Sequence, residues 1–246
     1  MLPLVSACAV PIGPIIQKAL AVPPPPKIGT CHNLDYIDIT SKAVYFDSKP
    51  PVDCTEPHTS VTYKTGDLPM TLSMKSFEVR NAGADAAIDF AERACKKAVT
   101  KATGLTQGQI EASWLTHTPF LPTLAEVQDG ANWFRCDLAA IFDETALQLP
   151  PTSQIPLFKD GVLPDSLALC ATQRGALVLC TQRHAYLYNN AFEMPGGYYP
   201  TPRQFRREAA KHRHCEGDTL NWPPKSAWRD GDHWVWCGFK DRSTTS

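Results

Sequence analysis

Cysteine and histidine are the residues of this chain whose type and spacing could do chemistry. Cys54-Thr55-Glu56-Pro57-His58 and Cys180-Thr181-Gln182-Arg183-His184 share the pattern Cys-Thr-x-x-His, and thiolate with imidazole is a zinc-binding donor set. His212 and His214 precede Cys215 in a basic stretch and add a second pair of possible donors. The cysteine count argues for different chemistry. Nine cysteines are spread along the sequence with no Cys-x-x-Cys pair, the distribution of a disulfide framework in an oxidising compartment. A sulfur cannot be both a zinc ligand and half of a disulfide. With the cysteines oxidised, His58 and His184 become structural, imidazoles hydrogen-bonded to backbone at the start of a strand, and His212 and His214 become solvated. That reading expects no metal and no cofactor. No Gly-x-Ser-x-Gly, His-Glu-x-x-His, Walker or dinucleotide-binding fingerprint occurs, so no catalytic residue is assigned. The alternative is a zinc-dependent hydrolase or metal-binding protein that uses the Cys and His positions.

Both Cys-Thr-x-x-His blocks belong to a longer self-similarity. Their frame runs without a gap to Pro69 and Pro195, and Gly130-x-x-Trp133-x-x-Cys136 matches Gly231-x-x-Trp234-x-x-Cys237. Cys31 and Cys170 precede the first block, and Cys95 and Cys215 lie near the end of a helical stretch, so each half carries its cysteines in one order. Hydrophobic period supplies the elements that must position them. Leu167 to Cys170 and Ala176 to Cys180 flank Gln173-Arg174-Gly175 as a hairpin, and Val61 to Tyr63 and Tyr186 to Tyr188 read as the next strand. Ala84 to Thr100 puts Ala87, Phe90, Ala91 and Ala94 on one helical face, with Pro202 to His214 as its counterpart. Trp133 to Ala140 and Trp234 to Phe239 are closing strands.

The predicted fold class is therefore α+β, two β-β-β-α-β repeats packed as a pseudo-symmetric, disulfide-stapled unit. Repeat 1 covers residues 29–142 and repeat 2 residues 162–242, with a linker at 143–161 and a tail at 243–246. The favoured pairings are Cys31 with Cys54 and Cys170 with Cys180 between adjacent strands, and Cys95 with Cys136 and Cys215 with Cys237 from helix to closing strand. A hairpin centred near Gly175 brings Cys170 opposite Cys180, within reach of a disulfide, and the second bridge follows by elimination.

Residues 1–21 read as an export segment. Met1 to Ile16 carries no charge, Ala19-Leu20-Ala21 suits a signal peptidase, and Val5-Ser6-Ala7-Cys8 resembles a lipobox whose Cys8 would be lipidated. Either route removes Cys8 from the disulfide pool and leaves an even number. A proline-rich linker at 22–28 follows. Net charge is -1 with a sequence pI of 6.6, which gives no overall electrostatic case for nucleic acid as a partner. Charged partners must then be met locally. The stretch Pro202 to Arg213 holds five basic residues against one acid, which makes Arg203, Arg206 and Arg207 candidate partner-binding residues. Trp228 and Trp234 join them from the tryptophan-rich end.

Asp53-Cys54-Thr55-Glu56-Pro57-His58 resembles the Asp-Cys-x-x-Pro-His block of the actinobacterial septum-formation family, and Trp228-x-x-Gly231-Asp232 resembles its Trp-x-x-Gly-Asp-Arg block, with His233 in place of arginine. The likeness covers about residues 29 to 240. It departs at Val127, where the first half lacks the tryptophan, and at Gly130-Ala131-Asn132, in place of Gly-Asp-Arg; the second half has Arg183 where the family has proline. The resemblance implies an exported or membrane-tethered protein linked to division-site or envelope assembly, and carries over no catalytic residue. The expected function is a non-enzymatic binding or structural role outside the cytoplasm. Its partner would be an envelope component, whether protein, anionic lipid or wall polymer, with membrane contact through an anchor at Cys8.

Overall fold

The computed structural model describes residues 22–41, 46, 49–72, 82–213, 215, 217 and 219–241. The export segment with Cys8, His214 and the 243–246 tail lie outside the described residues.

Each half centres on an antiparallel sheet built around two long neighbouring strands. The first contains β1 (Cys31–His32), β2 (Ser60–Asp67), β3 (Leu115–Phe120), β4 (Trp133–Phe142) and the short β5 (Thr145–Ala146). Its order is β1-β2-β4-β3, with β5 on β4. The second contains β6 (Leu169–Ala171), β7 (Leu177–Leu179), β8 (Tyr186–Glu193), β9 (Thr219–Asn221) and β10 (Trp234–Lys240), in the order β7-β6-β8-β10-β9. β4 reads Trp-Phe-Arg-Cys-Asp-Leu-Ala-Ala-Ile-Phe, an apolar run buried on both faces through Ala140, as the centre of a covered sheet requires.

The two sheets share their register. Asp67 pairs with Trp133 as Glu193 pairs with Trp234, and Lys64 pairs with Cys136 as Asn190 pairs with Cys237. Both ladders then shift at the same place, between Thr62 and Lys64 opposite β4 and between Cys237 and Gly238 opposite β8. The outer strands agree as well: Phe120 lies opposite Arg135 where Asn221 lies opposite Trp236. Each half therefore includes a strand, β3 or β9, that the β-β-β-α-β reading does not contain, inserted between the main helix and the closing strand. β3 carries Pro119 after three consecutive polar residues, Thr116-His117-Thr118, and pairs only as an outer strand.

The helices cover these sheets. α1 (Tyr36–Thr40) lies against the β3 side of the first sheet, where Leu34, Ile39, Phe120 and Ala139 form a small apolar cluster. α2 (Ala82–Thr103) covers the opposite face through Ala87, Ala91, Cys95, Val99 and Ala102, with Phe90 and Ala94 at the margin. α3 (Gln107–Glu111), α4 (Leu124–Gln128) and α5 (Pro202–Ala209) each begin with a reciprocal capping box, Thr106 with Gln109, Thr123 with Glu126 and Thr201 with Gln204. α6 (Lys225–Arg229) completes the second half.

α5 stops earlier than the sequence suggests, and Cys215 lies beyond its end. Only Phe205 and Ala209 are buried on it. Lys211-His212-Arg213 offers no further apolar residue at helical spacing to bury another turn. The connecting segment packs on the first half: Leu147, Leu149, Leu157 and Phe158 join its core, and the Leu149 amide donates to the His58 carbonyl (2.9 Å).

All four expected cysteine pairs are joined, with Cα separations of 5.4 Å for Cys31–Cys54 and Cys95–Cys136, 5.0 Å for Cys170–Cys180 and 5.1 Å for Cys215–Cys237. The hairpin bridge differs in register from its expectation. Cys170 lies opposite Val178, and Cys180 follows two residues further along; Cys31 lies likewise opposite Val52, two residues before Cys54.

Candidate functional site

The cysteines of both motif blocks are oxidised, and the two histidines bond to backbone carbonyls. With eight cysteines in disulfides, a zinc site drawn from the Cys-Thr-x-x-His blocks loses its thiolates, because an oxidised sulfur has no ligand charge to offer. Among the described residues no group of three His, Cys, Asp or Glu is placed to hold a metal ion. His58 is fully buried, and its Nδ1 donates to the Glu56 carbonyl (2.9 Å). His184 does the same to Gln182 (2.8 Å), while its Nε2 meets Asp241 (2.9 Å). His212 is not a free surface histidine either, since its ring stacks on Phe192 with centroids 4.4 Å apart.

Both motif blocks resolve into turns. Asp53 accepts from the amide and hydroxyl of Thr55 (2.9 Å each), which holds its carboxyl below the usual carboxylate range and fixes the turn leading through Cys54 to His58. In the second block, Gly231 takes a left-handed conformation (φ 97°) and Asp232 accepts from the Trp234 amide, turning the chain from α6 into β10. Gly130 (φ 99°) does the same between α4 and β4.

The candidate partner-binding residues separate. Trp228 is 2% exposed, its Nε1 donates to the Gly197 carbonyl (3.0 Å), and its ring packs beside Phe205, Tyr199 and His233. It is a core residue, unavailable to a partner. Trp234 is half-buried against the cluster of Tyr188 and Ala191. Arg203, Arg206 and Arg207 are exposed. Their i, i+3, i+4 spacing puts them on one face of α5, opposite Phe205 and Ala209. Glu208, the acid of that helix, is held by Lys211 at 2.8 Å, which keeps its carboxyl below the usual range. None of the three arginines makes an ion pair among the described residues.

Two features were not singled out in the sequence. Tyr198 is fully exposed (101%) at the turn just before α5. The run Gly196-Gly197-Tyr198-Tyr199-Pro200 was its signal, glycines bending the chain before an aromatic pair. On β4, Arg135 and Asp137 form an ion pair of 3.0 Å with side chains 4% and 0% exposed; Thr62 donates to Asp137 (2.7 Å) and the guanidinium lies over the Phe120 ring (4.7 Å). Two charges spaced by two residues in an otherwise apolar strand announce one shared polar face. The pair is too enclosed to meet a partner.

A groove of about 480 Å³ runs between α1, α2 and β3, where Glu92 contacts His117 at 2.8 Å beside Asp85 and Asp89. A second, of about 590 Å³, lies where α3 of the first half meets β8 and the turn after α5. No helix among the described residues is long and apolar enough to cross a membrane.

A family model described as septum formation matches residues 28–221, well over half of the chain, taking in the Asp53 to His58 block and stopping short of Trp228. Comparison with curated proteins and with solved structures finds no match. With its turn-forming Asp-Cys-x-x-Pro-His block and disulfide-stapled sheets, the chain belongs to the septum-formation family.

Proposed function

We propose that this chain is an extracytoplasmic binding protein of the cell envelope, without catalysis of its own, that docks through the arginine face of α5. Family membership supports a link to septum formation, and four disulfides suit an oxidising compartment. The observation that carries the docking site is the exposed trio Arg203, Arg206 and Arg207, without an ion-pair partner among the described residues, on a helix fixed from beneath by Phe205 and Ala209.

Replacing the three arginines by glutamine removes charge from an exposed face, so folding is expected to survive. Association with envelope fractions should fall, and the loss should shrink with added salt, because such contacts are screened over about 8 Å at physiological ionic strength. The control is the same surgery at Arg93, Lys96 and Lys97, exposed on α2 of the first half. Equal loss from both sets, or none from either, would show that the trio is only a solvated face.

A further inference from the structure

We infer that the α5 end of the second half is a membrane-surface contact, in which Tyr198 enters the headgroup layer of an anionic bilayer while Arg203, Arg206 and Arg207 meet the lipid phosphates. This rests on the docking reading above and names its partner.

Tyr198 is exposed on all sides, yet its base is rigid. On one side the Gly197 carbonyl is held by Trp228 Nε1 (3.0 Å); on the other the Tyr199 hydroxyl donates to the Pro223 carbonyl (3.0 Å). The Tyr199 ring sets its edge against Phe205 at 5.8 Å, which ties the loop to α5. Gly197 has φ 123°, a conformation that L side chains rarely adopt, so the turn that thrusts Tyr198 outward is written into the glycine. Such mounting spends nothing on folding and leaves a ring in water. It also lowers the ordering cost of binding, since the loop is already fixed.

A tyrosine has an apolar ring and a polar tip, and the layer that accommodates both is the bilayer interface. The arginines follow on the next element, the first of them five residues on. With Glu208 held by Lys211, the arginine face of α5 presents positive charge that no ion pair among the described residues compensates. Shape selects among anionic partners. A ring standing clear of its surroundings makes the patch convex there, which suits a broad, soft surface and gives an extended polymer strand no walls to lie between.

The test is co-sedimentation of the full chain with vesicles of phosphatidylcholine, with and without phosphatidylglycerol. Binding is expected only where phosphatidylglycerol is present. The variant R203Q/R206Q/R207Q should bind on the order of a hundredfold more weakly at low salt, about fivefold per cation near the surface. Tyr198→Ser should lose about fivefold at low and high salt alike, because its share is apolar insertion rather than charge. Near-ultraviolet circular dichroism checks that both variants keep the native fold. Equal binding to neutral vesicles, or wild-type binding by either variant, would overturn the inference. So would failure to bind phosphatidylglycerol vesicles while arginine-dependent association with envelope fractions persists; the partner would then be a protein or wall polymer, and the docking reading would stand.

Discussion

At the residue scale, equivalent positions of the two halves have been put to different use. His58 and His184 make the same bond to the carbonyl two residues back, but only His184 meets a carboxylate, Asp241. Arg135 and Asp137 of β4 correspond in register to Trp236 and Gly238 of β10. That buried pair was legible as a two-residue charge spacing, whereas its closure was not: it depends on Thr62 and Phe120, residues brought near only by pairing of distant strands. Glu111 shows the cost of such placement. It ends α3 in a half-buried position, and desolvation raises its carboxyl above the ordinary value, against the Gln107 amide that donates to it at 2.7 Å. With a raised folded-state pKa, the native protein binds more protons than the unfolded chain in the window just above 4.5, so stability falls as pH climbs through it. Glu111→Gln keeps an acceptor for Gln107 and removes the charge. Its melting temperature should exceed that of the parent at about pH 7, and the two should converge at about pH 4. A variant that melts lower than the parent at both pH values would show that the carboxylate is favourably solvated where it stands.

At the element scale, what was readable depended on burial. The α2 stripe was legible because one face repeats small apolar residues every three or four positions, and β4 because both of its faces are covered. β3 was not, since Leu115-Thr-His-Thr-Pro-Phe120 carries a proline and a polar run that also describe a loop. α5 was readable at its start and misread at its end, where positive charge continued but burial did not. An eight-residue helix with two buried positions leans heavily on its cap. The Thr201 hydroxyl oxygen accepts from the Gln204 amide, and the Thr201 amide donates to Gln204 Oε1 (2.8 Å). Thr201→Ala should therefore cost about 1 kcal/mol in denaturant unfolding. It should also weaken docking without touching an arginine, because the trio holds its spacing only while the first turn is formed. Thr201→Ser is expected to restore both. Docking unchanged in Thr201→Ala would mean that the arginines act as loose charges, independent of helical order.

At the scale of the whole molecule, the halves interlock rather than hang from a tether. The face of the second sheet bearing Tyr188, Ala191 and Trp236 is covered by the first half, through Ala112 and Trp114, and the Trp236 indole donates to the Glu111 carbonyl (2.7 Å). A bridge between Ser113 and Ala168 ties the start of β3 to the start of β6. Self-similarity in the sequence pointed to two sheets, but it could not reveal this seam, because among the described residues α3 has no counterpart in the second half's element order. The seam turns on Gly108. A methyl group there would collide with Asn190 Oδ1 and the Ala191 carbonyl, and the latter, as backbone of a central strand, has little freedom to yield. Two effects of Gly108→Ala oppose each other: alanine favours the helix by about 1 kcal/mol, while the collision forces α3 away from β8. The second should win, since overpacking a close-packed contact typically costs about 1 to 3 kcal/mol and here also loosens the bond to Trp236. Calorimetry should show one cooperative transition for the parent and, for Gly108→Ala, a lower midpoint with the second half melting ahead of the first. A rise in midpoint would mean that helix propensity outweighs the contact and that the halves do not depend on this seam for their stability.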